Sequence, residues 1–176
     1  MDIRIEKTKR AITNTFLELR ARKPLEKITI KELCEKALIN KSTFYSHYRD
    51  IYDLSDALET EVVSSVIASI RSPEKLFTEP AVFIQELFLG YLSMDTLIQT
   101  LFSGTRNGEL VRKTEVQLKN MIFSSHPDYE HDALKNILLT YNIYGGYFAF
   151  YENRKYGEKK TIEAIGQIAE ESLKLL

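Results

Sequence analysis

The chain has 176 residues, 44% of them hydrophobic, and a formal net charge of −1. That size and apolar content exclude wholesale disorder and suffice for one compact domain or a small head on a larger body. A single cysteine, Cys34, excludes a disulfide within the chain and implies a reducing, cytoplasmic setting.

The N-terminus is charged and lacks the apolar run of a signal peptide. No stretch approaches the ~20 apolar residues of a membrane span, so no membrane association is expected. The near-zero net charge by itself speaks against a nucleic-acid binder, but the charge is uneven. Residues 1–50 hold 12 Lys+Arg and 7 Asp+Glu, a net of +5, and residues 51–176 hold 12 and 18, a net of −6. A basic head on an acidic body suits a protein that offers one face to a polyanion, although uneven solvated charge produces the same split.

Helical periodicity dominates. From Asp2 to Arg22, Ile5, Thr8, Ile12, Phe16 and Leu19 recur at spacings of three and four. Lys23-Pro24 ends that helix. Thr29 and Glu32 form an S/T-x-x-E capping box that opens the second helix, with Leu33, Cys34 and Ala37 facing inward. A buried structural thiol is the default for Cys34, since no resolving partner exists for a redox sensor. Asn40 is suited to cap a third helix that runs to about Tyr48. Asp50 can cap a fourth from Ile51 to about Arg71, with Leu54, Leu58, Val62, Val66 and Ile70 on one stripe.

Ser72-Pro73 breaks the chain. Helices follow from about Pro80 to Tyr91, Ser93 to Ser103 and Glu109 to Ser124, with Gly104 and Gly108 bracketing a short break. Residues 125–128 read as a loop. Two last helices span about Tyr129–Asn153 and Lys159–Leu175. No strand alternation, repeat or low-complexity tract occurs, and the expected class is all-α with about nine helices.

The segment Thr29–Asp50 carries the functional signal. The third helix has one large apolar anchor, Phe44, suited to plug against Phe16 and Leu33. Its other members are hydroxyls, a lysine, two tyrosines and a histidine, which are poor core material. A helix-turn-helix lays its second helix in the major groove, which is wide enough for one helix. Lys41 and Thr43 can reach base edges. Ser42, Tyr45, His47 and Tyr48 suit phosphate oxygens. Thr29 can donate to a phosphate at a helix N-terminus, and Lys31 and Arg49 supply counter-charge. The competing view makes Tyr45 and Tyr48 half-buried core and His47 a solvated surface group; for the whole set together it is the weaker one.

Residues 8–58 resemble the DNA-binding domain of the tetracycline-repressor family of bacterial regulators. The resemblance rests on the amphipathic first helix, on Ile28-Thr29-Ile30-Lys31-Glu32-Leu33, and on Lys41-Ser42-Thr43-Phe44-Tyr45-Ser46-His47-Tyr48 followed by Asp53-Leu54. It implies a helix-turn-helix domain over residues 1–50 and a helical regulatory and dimerisation domain over 51–176. It also implies a homodimer on a palindromic double-stranded DNA operator, most often as a repressor, with a small effector bound by the body. Thr29, Lys31, Lys41, Ser42, Thr43, Tyr45, His47 and Tyr48 are the DNA contacts carried over by position. Two positions depart from the pattern. Leu38 follows Ala37 where glycine is usual, so a different backbone path is expected in the turn, because a Cβ in a left-handed turn costs about 1 kcal/mol. Ile51 stands where a phosphate-contacting lysine is common, leaving part of that task to Arg49.

In the body, Leu134, Ile137, Leu138, Tyr141, Tyr144, Tyr147, Phe148 and Tyr151 cover a wide face of one helix. Ile162, Ile165, Ile168, Ala169, Leu173 and Leu176 line the last. Gly145, Gly146 and Gly166 would allow close helix approach. Two copies could pair these helices (about 129–175) into a four-helix bundle, or the same residues could fill the chain's own core. Phe83, Phe88, Tyr91, Phe102, Tyr141, Tyr144 and Tyr147 could wall a pocket for a small apolar or aromatic effector, with Gln99, Gln117 or Asn142 as polar tips; an aromatic stripe is otherwise plain core.

No phosphate loop, metal pattern or nucleophilic grouping stands out, so neither an enzyme nor a cofactor is expected. His126 and His131 are five apart and fall on different helix faces, so no metal site is expected there. The alternative function is an interaction protein whose body recruits a partner.

Overall fold

A computed structural model describes residues 3–175. The expected start at Asp2 and the apolar Leu176 lie outside the described residues. The architecture is all-α. Ten α-helices form among the described residues: α1 (Ile3–Arg20), α2 (Ile30–Ala37), α3 (Lys41–Tyr45), α4 (Ile51–Ala68), α5 (Lys75–Thr78), α6 (Pro80–Ser93), α7 (Asp95–Leu101), α8 (Asn107–Ser125), α9 (Ala133–Asn153) and α10 (Glu158–Leu173). They fall into two compact units. The first comprises residues 1–62 and 96–107, the second 63–95 and 108–176. The boundary expected after residue 50 therefore falls inside the first unit, which also takes in most of α4 and the α7 segment.

In the first unit, α1 and α2 pack together and α2 supports α3. Ile12, Phe16, Leu33, Phe44 and Leu54 are fully buried there, as their spacing predicts, while Ile5 is exposed. Burying such side chains contributes about 1.5–3 kcal/mol each.

Two side chains set the helix starts. The Thr29 hydroxyl accepts from the Glu32 N–H at 3.2 Å, and the Glu32 carboxylate is engaged by Lys23. At α4, Asp50 Oδ1 accepts from the Asp53 N–H at 2.8 Å, and Asp53 Oδ2 accepts from the Arg49 N–H at 2.9 Å. This reciprocal pair satisfies two backbone donors that a bare helix start would leave open.

The first unit also contains a polar knot. Glu59 is fully buried. It accepts from the Ser55 hydroxyl at 2.8 Å and from both Nε (2.9 Å) and Nη2 (2.5 Å) of Arg106. Arg20, 4% exposed, donates to the Leu101 carbonyl at 3.1 Å and to Ser103 Oγ at 2.9 Å. Burial lowers the Arg20 pKa from its ordinary value, with Glu26 and Glu59 acting the other way. These bonds pin the α7 segment and the turn after it to α1 and α4.

In the second unit α10 packs on α6 and α9. Gly166 is the close-approach point: a Cβ there would lie 3.0 Å from both Cα and Cβ of Ala81 on α6. Gly146 has ordinary clearance from Ile165, and Gly145 faces open space, so neither matches the role of Gly166. The α9 helix starts at Ala133 rather than near Tyr129. Residues Pro127–His131 instead form a 3₁₀ turn, and Asp132 caps α9 by accepting the Lys135 N–H at 3.1 Å. A short α5 between the Ser72-Pro73 break and Pro80 was not expected from the periodicity. No single helix among the described residues is long and apolar enough to cross a membrane.

Candidate nucleic-acid interface and apolar cavity

The α2–α3 turn follows the glycine-type path despite its leucine. Leu38 closes α2 in the left-handed region (φ 55°, ψ 43°), its N–H donating to Glu35 O, and Ile39 N–H donates to Cys34 O. The expectation of a different backbone path is therefore corrected. The side chain escapes a clash by pointing into solvent, 91% exposed, and the backbone strain remains. Cys34 is buried, and burial raises its thiol pKa, which suits a packed structural group rather than a reactive one.

Asn40 precedes α3 with extended backbone but makes no side-chain cap bond. The helix proper ends at Tyr45, and helical bonding continues one turn further through the Tyr48 N–H to Phe44 O at 3.0 Å. Phe44 is fully buried. With that anchor inward, Lys41, Ser42 and Tyr45 are exposed, and Thr43, His47 and Tyr48 are half-buried. Lys41 occupies the first helical position.

The flanking groups differ in how free they are. Thr29 is exposed, and capping uses its oxygen as acceptor, which leaves its proton to donate. Lys31 is exposed, with Glu35 one turn away at 4.0 Å. Arg49 is committed: Nε and Nη2 donate to Asp53 Oδ1 at 3.1 and 2.7 Å. Asp53 consequently sits below the usual carboxylate range through that hydrogen bond. Tyr48 leans on the Phe44 ring at 5.9 Å, and burial pushes its phenol up, with Thr13 hydrogen-bonded to it. Tyr48 is thus half-buried, the placement that the competing view gave it. Lys41, Ser42, Tyr45, Thr29 and Lys31 form the accessible set.

The second unit encloses an apolar cavity of about 60 Å³ between α5, α6, α8, α9 and α10. Phe83, Phe88, Tyr91 and Asn142, expected at such a site, do line it, as does Tyr147. Gln99, Phe102, Gln117, Tyr141 and Tyr144 do not. Gln99 and Phe102 belong to the first unit. Tyr141 is 66% exposed, and burial and Glu115 both push the Tyr144 phenol up. The reason is helical phase: Leu139, Asn142, Ile143 and Gly146 share the inner face of α9, and Tyr141 and Tyr144 each lie one residue, about 100°, off it. Pocket wall contributed by Val111, Thr114 and Leu118 of α8 carries no motif that sequence could have flagged.

On the outer face of α9, Leu134, Ile137, Tyr141 and Phe148 are each at least half exposed, as are Ile168 of α10 and Leu175 just past its end. Around residue 126, the His126 ring stacks on Tyr129 at 4.9 Å, with Phe77 edge-on to both. Among the described residues no group of three or more His, Cys, Asp or Glu could hold a metal ion. Comparison with protein-family models, with curated proteins and with solved structures finds no match to this chain.

Proposed function

We propose that this chain is a sequence-specific DNA-binding transcription regulator of the tetracycline-repressor type, acting as a homodimer on a palindromic operator and released by a small molecule. One observation carries the proposal: α3 is held by a single buried anchor, Phe44, and turns Lys41, Ser42 and Tyr45 to solvent in the chain's basic N-terminal segment. A five-residue helix held this way has little packing function of its own. Its exposed groups match what major-groove recognition needs, a cation and hydroxyls near a helix N-terminus. Thr29 and Lys31 add phosphate contacts at the start of α2.

Dimerisation is supported by the apolar stripe Leu134, Ile137, Tyr141 and Phe148, which a second copy of α9 and α10 would cover. A dimer would present two reading helices to half-sites one helical turn, about 34–36 Å, apart. The same stripe is what favours the second reading, an interaction protein whose body recruits a different chain.

A gel shift on DNA from upstream of the chain's own coding region, at low and moderate salt, tests the proposal. The expected result is a sequence-specific shift that weakens steeply as salt rises. Lys41→Ala should alter the sequence preference rather than weaken all sites alike. Absence of any shift at low salt would remove the DNA-binding reading.

A further inference from the structure

We infer that the turn between α2 and α3 reads an A·T base pair, with Leu38 packing on the thymine methyl group and Asn40 bonding to the adenine edge. This role rests on the DNA-binding function proposed above and adds to it two residues that precede the recognition helix.

Leu38 is unfavourable twice over. Its backbone sits in the left-handed region at φ 55°, where a Cβ is disfavoured and glycine is not. Its side chain is 91% exposed, so no burial offsets that strain. Among the described residues it is the one non-glycine residue with positive φ and the most exposed of the large hydrophobic side chains. Strain that the fold does not use points to a task outside the fold.

The surroundings say what covers this side chain. Lys36, Asn40 and Lys41 are exposed on either side of it, while Ala37 and Ile39 are half-buried. The acidic neighbour Glu35 lies 4.0 Å from Lys31. A lone leucine among cations and an amide is no docking patch for a protein, which needs a contiguous apolar area. It matches a polyanion that carries isolated methyl groups, and thymine offers its C5-methyl in the major groove of DNA. Leu38 stands three residues before Lys41, where α3 begins, so the two Cα atoms are at most about 11 Å apart. With α3 in the groove, the turn that feeds it runs along the groove edge.

Asn40 supplies the complementary half. It directly precedes α3, where an asparagine ordinarily spends its oxygen on the helix start, yet it makes no side-chain cap bond. Its amide keeps a donor and an acceptor, the combination that meets adenine at N7 and N6. The two side chains thus call for the two members of one base pair.

The test uses the full chain and a pool of duplexes of randomised sequence. Repeated selection for binding should enrich half-sites that hold an A·T pair beside the bases facing Lys41. Replacing that thymine by uracil, which removes only the methyl group, should weaken binding of the unmodified chain at least threefold. Leu38→Gly should bind the thymine site at least threefold more weakly, lose no further affinity with uracil, and unfold at a higher denaturant midpoint. A damaged fold would instead lower midpoint and affinity together. Asn40→Ala should bind a site with G·C at that position within threefold of the A·T site. Equal affinity of Leu38→Gly and the unmodified chain for the thymine site, or the same uracil penalty in both, overturns the role of Leu38. Undiminished preference for A·T in Asn40→Ala overturns that of Asn40. Enrichment of no sequence at all sinks the DNA-binding reading and this role with it, whereas enriched sites that are indifferent to both substitutions sink this role alone.

Discussion

Two side chains in the first unit hold conformations or charges that cost free energy, and each yields a measurable consequence. Leu38 sits at φ 55° with its side chain in solvent, so it contributes strain and almost no packing. Leu38→Gly should stabilise the chain by about 1 kcal/mol, read as a higher denaturant midpoint with an unchanged slope. No change, or a lower midpoint, would mean that the leucine makes a compensating contact. Glu59 presents the opposite case: a fully buried carboxylate matched by the Arg106 fork. Arg106→Ala leaves that carboxylate uncompensated and should cost about 3 kcal/mol or more. Replacing both members with leucine should cost less than Arg106→Ala alone, because the penalty lies in the orphaned charge. Equal losses in the two variants would show that packing by the arginine stem matters more than its charge.

Element by element, what could be read in the sequence tracks how local the determinant is. The Thr29 cap and the Asp50 cap involve residues three apart, and both form as their spacing predicts. The third helix starts at Lys41 as expected but ends at Tyr45, three residues early, with Phe44 its one buried side chain. The start of α9 was misplaced by four residues, because Asp132, not the preceding aromatic, supplies the cap. Arg20 and Glu59 are the opposite case. Their partners lie 81 and 47 residues away, and no periodicity encodes a match at that distance. The cavity wall was half legible for the same reason: aromatic content is visible in sequence, but which of Tyr141 and Asn142 faces inward depends on the phase at which α9 is docked. The outward stripe on α9 gives this scale its own prediction. Ile137 is 64% exposed, so Ile137→Glu should leave the melting of the isolated chain nearly unchanged. In the proposed dimer it should shift sedimentation toward monomer and weaken binding to a palindromic site far more than to a half-site. An unaltered sedimentation profile would locate the dimer contact elsewhere.

For the molecule as a whole, the tyrosines set an alkaline limit on stability. Tyr48, Tyr91, Tyr144, Tyr147 and Tyr151 all have phenols raised above their ordinary value, and in each the largest cause is burial. Tyr151 is pushed up to about 12 from an ordinary value of 10. A group that holds its proton more tightly when folded contributes stability that is fully present below the unfolded pKa. Above that value the unfolded chain releases the proton while the folded chain keeps it, so stability falls as pH rises, until the folded pKa is passed. For Tyr151 the window runs from about 10 to about 12. Denaturant midpoints should therefore be insensitive to phenol ionisation below pH ~9 and drop progressively above pH ~10. Tyr151→Phe should flatten part of that decline without shifting its onset, since the remaining buried phenols begin to titrate in the unfolded state at the same pH.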